Sequence, residues 1–296
     1  MSLYQNRGDN VRNTWLLMSV FLVLIILIGW SFSYIYNSPE ILVVAVIFSI
    51  SMNILGYWFS DKVVLSMSRA KKVERKDHKD LWNVVENICI TAGLPMPNLY
   101  IISDDAPNAF ATGRNQKHAA VAVTSGLLEL LDRSELEGVI AHELSHIGNK
   151  DTLISTVIVV LVGFVTLASD FFLRVSVFGG NRDNNNNAGL FLGLVGIVLA
   201  ILSPIIATVI RLAISRKREF LADSSAAILT RYPEGLASAL EKISSHQKPL
   251  QRANHAFAHL FIANPFADHQ EKQSFLTKIF MTHPPVKERI LALRRR

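Results

Sequence analysis

Two stretches of this chain, Thr14–Tyr36 and Ile41–Phe59, contain no charged residue, and Ala188–Ile210 contains none either. A fourth run, Thr152–Leu173, carries a single acid, Asp170. Each approaches or exceeds the ~20 residues that cross a hydrocarbon core as a helix. One such run can be a buried core helix, but four in a chain of 296 residues predict a multi-pass membrane protein. The first two are joined by "NSPE", whose Pro39 suits a tight turn, so they read as a hairpin. The first run is too long for a signal-peptide core and has no small-residue cleavage site behind it; it reads as a retained anchor. Asp170 reads either as an interfacial residue or as an intramembrane functional acid.

Half of the residues are hydrophobic and 18% are charged, with a formal net charge of +6. The basic residues flank the apolar runs, which points to membrane topology and away from nucleic acid. By parity, the polar segments after the second and fourth runs share a side with the N-terminus. That side carries Arg7, Arg12, Lys62, Arg69, Lys71, Lys72, Arg75 and the cluster Arg216–Lys217–Arg218, whereas the other has Arg174 and Arg182 offset by Glu40 and Asp183. The positive-inside rule therefore predicts that both termini and both polar segments are cytoplasmic. The expected organisation is a transmembrane hairpin over 1–60, a cytoplasmic part over 61–151, a second hairpin over 152–210 and a second cytoplasmic part over 211–296. The Gly/Asn-rich "GGNRDNNNNAG" reads as a connector on the far side. The single cysteine, Cys89, excludes an intramolecular disulfide and a Cys-rich metal site.

Within the polar part, Asp77–Thr91 predicts a helix, and "PNLYIIS" and "AAVAVTS" predict two short buried strands. Ser134-Glu135-Leu136-Glu137 has a capping-box pattern that would open the following helix. The fold class that results is a mainly α membrane protein with four transmembrane helices and a cytoplasmic α+β domain.

The chemistry sits in that helix. His142-Glu143-Leu144-Ser145-His146 is an H-E-x-x-H pattern: at 3.6 residues per turn, His142 and His146 share a face and can hold one ion. Glu143, offset by one residue, can reach a water without being a ligand. A catalytic zinc needs a third protein ligand and an open position, and Glu219 in "SRKREFLADSSA" is the best candidate. Asp223, one turn later, can accept a hydrogen bond from a ligand histidine and fix its tautomer. The expected cofactor is one Zn²⁺, which His₂Glu ligation favours. The third and fourth runs would bring the two segments together as an antiparallel pair close to the bilayer. His255 and His259 also stand four apart, but without a neighbouring glutamate they read as a surface or flap helix.

"HELSHIGNKD", "REFLAD" and "THPPVKERI" resemble the HtpX-type membrane zinc metalloproteases, bacterial relatives of the CAAX prenyl proteases. "NAFATG" at 108–113 and "HLFIANPF" are similar to further segments of that family. The resemblance implies a zincin-like endopeptidase of the bacterial inner membrane, acting on misfolded or damaged membrane proteins and other unfolded polypeptides in stress responses. It implies His142, His146 and Glu219 as zinc ligands, Glu143 as base and His283 near the substrate carbonyl. Asn108, Ala109 and Phe110 would belong to an edge strand beside the substrate, pairing with it through the backbone. His283 or Arg289 is the candidate donor to the oxyanion, and Arg289 is also a candidate supporting residue behind the ligands. Three other readings stand beside this one: prenyl-peptide cleavage, a scaffold or chaperone with a structural zinc, and a transporter using Asp170.

Overall fold

A computed structural model of the chain describes residues 3–178, 196, 198, 216–246, 249–251, 260–263 and 284–295. The first element, α1 (Leu3–Tyr36), turns at Asn37 into α2 (Pro39–Trp58). Both are long and apolar enough to cross a membrane. Their outer faces expose Trp15, Leu16, Val20, Leu27, Ile47 and Ile54, as a lipid-facing surface requires. Their inner faces meet closely at Gly29, where an added Cβ would lie 2.2 Å from that of Ala45. Small residues of this kind allow membrane helices to approach.

A short helix, α3 (Ser60–Met67), leads into strand β1 (Lys71–Lys72) and helix α4 (Lys79–Ala92). Strands β2 (Asn98–Ile102), β3 (Ala109–Gly113) and β4 (Ala119–Thr124) complete a sheet in the order β1-β2-β4-β3. β2 and β4 run parallel, and β3 pairs antiparallel with β4 along the edge. Period-two alternation divides this sheet between two cores. Ala109, Ala111, Val121 and Val123 face α4 and the histidine helix, while Phe110, Ala120 and Ala122 join Val64, Val159 and Phe261. Burial on both faces explains why β3 and β4 read as unbroken apolar runs.

After α5 (Ser125–Leu130) comes α6 (Arg133–Gly148), which carries the H-E-x-x-H pattern. Its cap differs from the expected Ser134 box. Asp132 is the N-cap, its carboxylate accepting from the Glu135 N–H at 3.0 Å, and Glu135 accepts from the Asp132 N–H at 2.9 Å. The reason lies in α6's packing: Glu135 is buried and also accepts from Ser238 (2.6 Å) and Lys242 (2.7 Å). Those residues lie on α9 (Pro233–Ser245), which follows α8 (Arg216–Thr230); the last helix is α10 (Val286–Arg294).

α6 and α9 also meet backbone to backbone. A Cβ at Gly138 would stand 2.7 Å from the Leu236 nitrogen and 2.9 Å from its Cα. Gly138→Ala should therefore force the two helices apart and destabilise the domain by about 1–3 kcal/mol. Thermal unfolding of the detergent-solubilised variant measures this, and an unchanged midpoint would contradict the contact.

The third apolar run forms α7 (Asp151–Phe178), which contains Asp170 and spans the expected Thr152–Leu173. It does not continue α6 in a straight line. The two axes differ by 82° across a two-residue break at which Lys150 is left-handed, with φ of 60°. α7 then buries Leu153, Val157, Val160, Leu161 and Val165 against Met18, Phe21, Ile25 and Met52 of the hairpin. The fourth run, residues 196 and 198 excepted, and the Asn-rich connector lie outside the described residues.

Candidate metal centre

His142 and His146 project from one face of α6, their rings perpendicular and 4.7 Å apart. Their Nε2 atoms are 3.2 Å from each other. Glu219, in the first turn of α8, brings Oε2 to 3.8 Å from His142 Nε2 and Oε1 to 3.6 Å from His146 Nε2. A tetrahedral ion with bonds of ~2.0–2.1 Å requires ligand atoms roughly 3.3–3.4 Å apart, so this triangle is close to the size zinc demands.

The tautomers point the same way. His142 Nδ1 lies 2.9 Å from Asp223 Oδ1, and His146 Nδ1 lies 3.0 Å from Asp151 Oδ2. A carboxylate only accepts, so each Nδ1 carries the proton and each Nε2 turns its lone pair into the triangle. Two lone pairs and a carboxylate converging in a buried space call for a cation. The surrounding acids show the same demand in proton chemistry, where a proton on His146 Nε2 takes the place of the cation. Burial opposes charge on His146, but its Asp151 hydrogen bond and the charges of Glu219, Asp151 and Glu143 outweigh it and raise its pKa to about 9. At His142 burial dominates, with Arg289 and His146 acting in the same direction against Asp223, and its pKa falls to about 4.

Behind each histidine stands a braced acid. Arg289, on α10, has no exposed surface and grips Asp223 with two bonds, Nε to Oδ2 at 2.9 Å and Nη2 to Oδ1 at 2.7 Å. Its Nη1 donates to the Ile262 carbonyl at 3.2 Å. Burial alone would raise the Asp223 pKa; Arg289 and His142 overcome it and hold the carboxyl at about 2. On the other side, Asp151 accepts from Asn10 Nδ2, which also reaches the Asn149 carbonyl at 3.1 Å. Arg218 fixes Asn10 in turn, with Nη1 2.8 Å from Asn10 Oδ1. Asn10 thus ties the start of the first membrane helix to the acid that holds His146.

The triangle and Asp223 are legible in the sequence, whereas the roles of Asp151, Asn10 and Arg218 are not. Asp151 stands at the end of "HELSHIGNKD", yet only the bend at Lys150 returns it to His146; Asn10 carries no local signal at all. Asp151→Asn is expected to weaken metal retention by about 10–100-fold with the fold intact. Competition with a graded series of chelators reads this, and an unaltered affinity would show that His146 needs no such support.

Glu143 is buried, next to His142 on α6. Asn108 donates from Nδ2 to the Ala263 carbonyl at 3.1 Å, and the Ala109 carbonyl accepts from the Ile262 N–H at 3.0 Å. Phe110 meets Phe261 edge-on at 5.2 Å. The chain's own Leu260–Ala263 therefore lies along the start of β3. His283, His255 and His259 lie outside the described residues.

The chain is similar to known proteins along most of its length. The profile of peptidase family M48 matches residues 75–296. A "Protease HtpX homolog" of Thermoanaerobacter pseudethanolicus is 42% identical over 298 aligned positions, covering 99% of this chain and 97% of the relative. A "Protease HtpX homolog" of Tropheryma whipplei is 50% identical over 238, covering 80% of this chain and 79% of the relative. Among solved structures, S. mikatae Ste24p superposes with a TM-score of 0.53 at 17% identity, over 98% of this chain and 67% of that one.

Proposed function

Because this chain belongs to peptidase family M48 and is a metalloprotease with membrane-spanning helices, we propose that it is a zinc endopeptidase cutting misfolded or damaged membrane proteins at the cytoplasmic face of a bacterial inner membrane. The observation that carries this reading is the convergence of His142, His146 and Glu219, whose ligand atoms all lie within 4.8 Å of one another. It takes the runs at 152–173 and 188–210 as a second hairpin, dividing the cytoplasmic domain into 61–151 and 211–296. Stress response is the proposed biological setting, as the resemblance to HtpX-type proteases implies.

His142, His146 and Glu219 would hold the ion. Bound there, zinc would supply Lewis acidity for the scissile carbonyl and ease ionisation of the attacking water. Glu143 takes the proton from that water and passes it to the leaving amine. Asp223 and Asp151 keep both imidazoles in the Nδ1–H tautomer, and Arg289 keeps Asp223 ionised and in place. The two bonds from Arg289 to Asp223 favour this positioning role over direct contact with the oxyanion, which leaves His283 as the proposed donor. Asn108, Ala109 and Phe110 would receive extended substrate along β3. That pairing requires Leu260–Ala263 to move aside, because the Ile262 N–H occupies the Ala109 carbonyl.

The test is cleavage by the full-length protein in detergent, offered denatured membrane proteins beside a prenylated peptide. Cutting of the former, abolished by chelation and restored by zinc, is expected. Cutting of the prenylated peptide alone would replace the substrate class, and activity that survives complete metal removal would overturn the mechanism. Glu219→Gln should lose stoichiometric zinc; full retention would point to a different ligand.

A further inference from the structure

At the domain end of α2 lies a cavity of about 440 Å³ whose walls come from α2, α3, β2 and the β3–β4 turn. Lys62, Arg114 and Lys117 line it, against the single acid Asp61. Its lysine and arginine side chains bring three positive charges and Asp61 one negative, a balance of +2. Trp58, the last residue of α2, forms one wall, and the Arg114 guanidinium stacks over its ring at 4.8 Å. Stacking uses the face of the guanidinium and leaves its N–H edge for bidentate contact with a phosphate. Among the described residues, no ion pair engages Lys62, Arg114 or Lys117.

The location narrows the ligand. A tryptophan ending an apolar helix sits at headgroup depth. The same helix exposes Ile47, Ile50, Ile54 and Leu55 below it, a surface on which acyl chains can lie. Solvated cations at a membrane boundary need no cavity, whereas here Lys62 from α3 and Arg114 and Lys117 from the β3–β4 turn come together to line one. We propose that this cavity binds the phosphate headgroup of an anionic phospholipid, with Arg114 and Lys117 on the phosphate and the acyl chains along α2. A soluble phosphate ester shares the headgroup chemistry but would gain nothing from the apolar strip.

Native mass spectrometry of the full-length protein, released from bilayers containing phosphatidylglycerol and phosphatidylcholine, tests this. Preferential retention of phosphatidylglycerol is expected. Each cation near a charged membrane surface contributes about fivefold, so Arg114→Gln with Lys117→Gln should weaken retention roughly 20–30-fold. Lys62→Gln, on an exposed helical position, should weaken it about fivefold and serves if the double variant is unstable. Arg75→Gln with Lys76→Gln removes the same charge outside the cavity and should change retention little. Equal retention of both lipids would overturn the proposal. So would equal losses from both charge pairs, since a diffuse field would then explain them. Displacement of the lipid by millimolar glycerol phosphate would reassign the cavity to a soluble phosphate ester.

Discussion

Glu143→Gln should lower the peptidase turnover by about 10²–10⁴-fold while the protein keeps its metal and its fold. Glutamine has the size and shape of glutamate, so the buried space beside His142 is filled as before. What disappears is the carboxylate that accepts a proton from water. The three groups that meet at the metal position are His142, His146 and Glu219, and none of them is altered. The expected result is therefore a separation of two measurements: zinc content stays near stoichiometric, and cleavage of a model membrane substrate falls with little change in KM. Cleavage at the parental rate would remove Glu143 as the base. Loss of zinc along with activity would place it among the ligands instead.

Arg289→Met should give the second large effect, and it should appear in stability before activity. Methionine matches much of the arginine's length but carries no charge. Asp223 is only 3% exposed and would lose both guanidinium bonds, and the Ile262 carbonyl would lose its donor. Removing one member of a buried ion pair destabilises by roughly 3–5 kcal/mol, chiefly because the other charge is left unpaired. Asp223→Asn combined with Arg289→Met removes that orphaned charge and should recover part of the stability. It should not recover metal affinity, because the asparagine no longer fixes His142 as a carboxylate does. Melting temperature and metal retention, measured on both variants, distinguish these effects. A single variant that melts like the parent would show that Arg289 is dispensable behind the site.

The parts of this protein legible from sequence are those with a short period or a long run. Residues four apart on a helix must share a face, so spacing alone pairs His142 with His146 and Glu219 with Asp223. The hairpin of α1 and α2 is equally plain, because uncharged runs of that length have few other uses. The β2 and β4 strands can be read from short apolar runs, whereas β3 is implied by the family resemblance alone; the pairing puts it at the edge of the sheet. The helix cap is misread at Ser134 because the local pattern is satisfied twice; α9 decides between them by drawing Glu135 inward.

Covalent order and a 3.6-residue turn are enough to fix the set of chemical groups and the helical faces that carry them. The tertiary structure decided which groups meet. The left-handed Lys150 turns α7 through 82°, and that turn alone returns Asp151 to His146. α10 delivers Arg289 to Asp223 across 66 residues, and α1 delivers Asn10 to Asp151 across 141. Such contacts have no period, because they depend on how separately formed helices pack, and packing is a property of the whole chain.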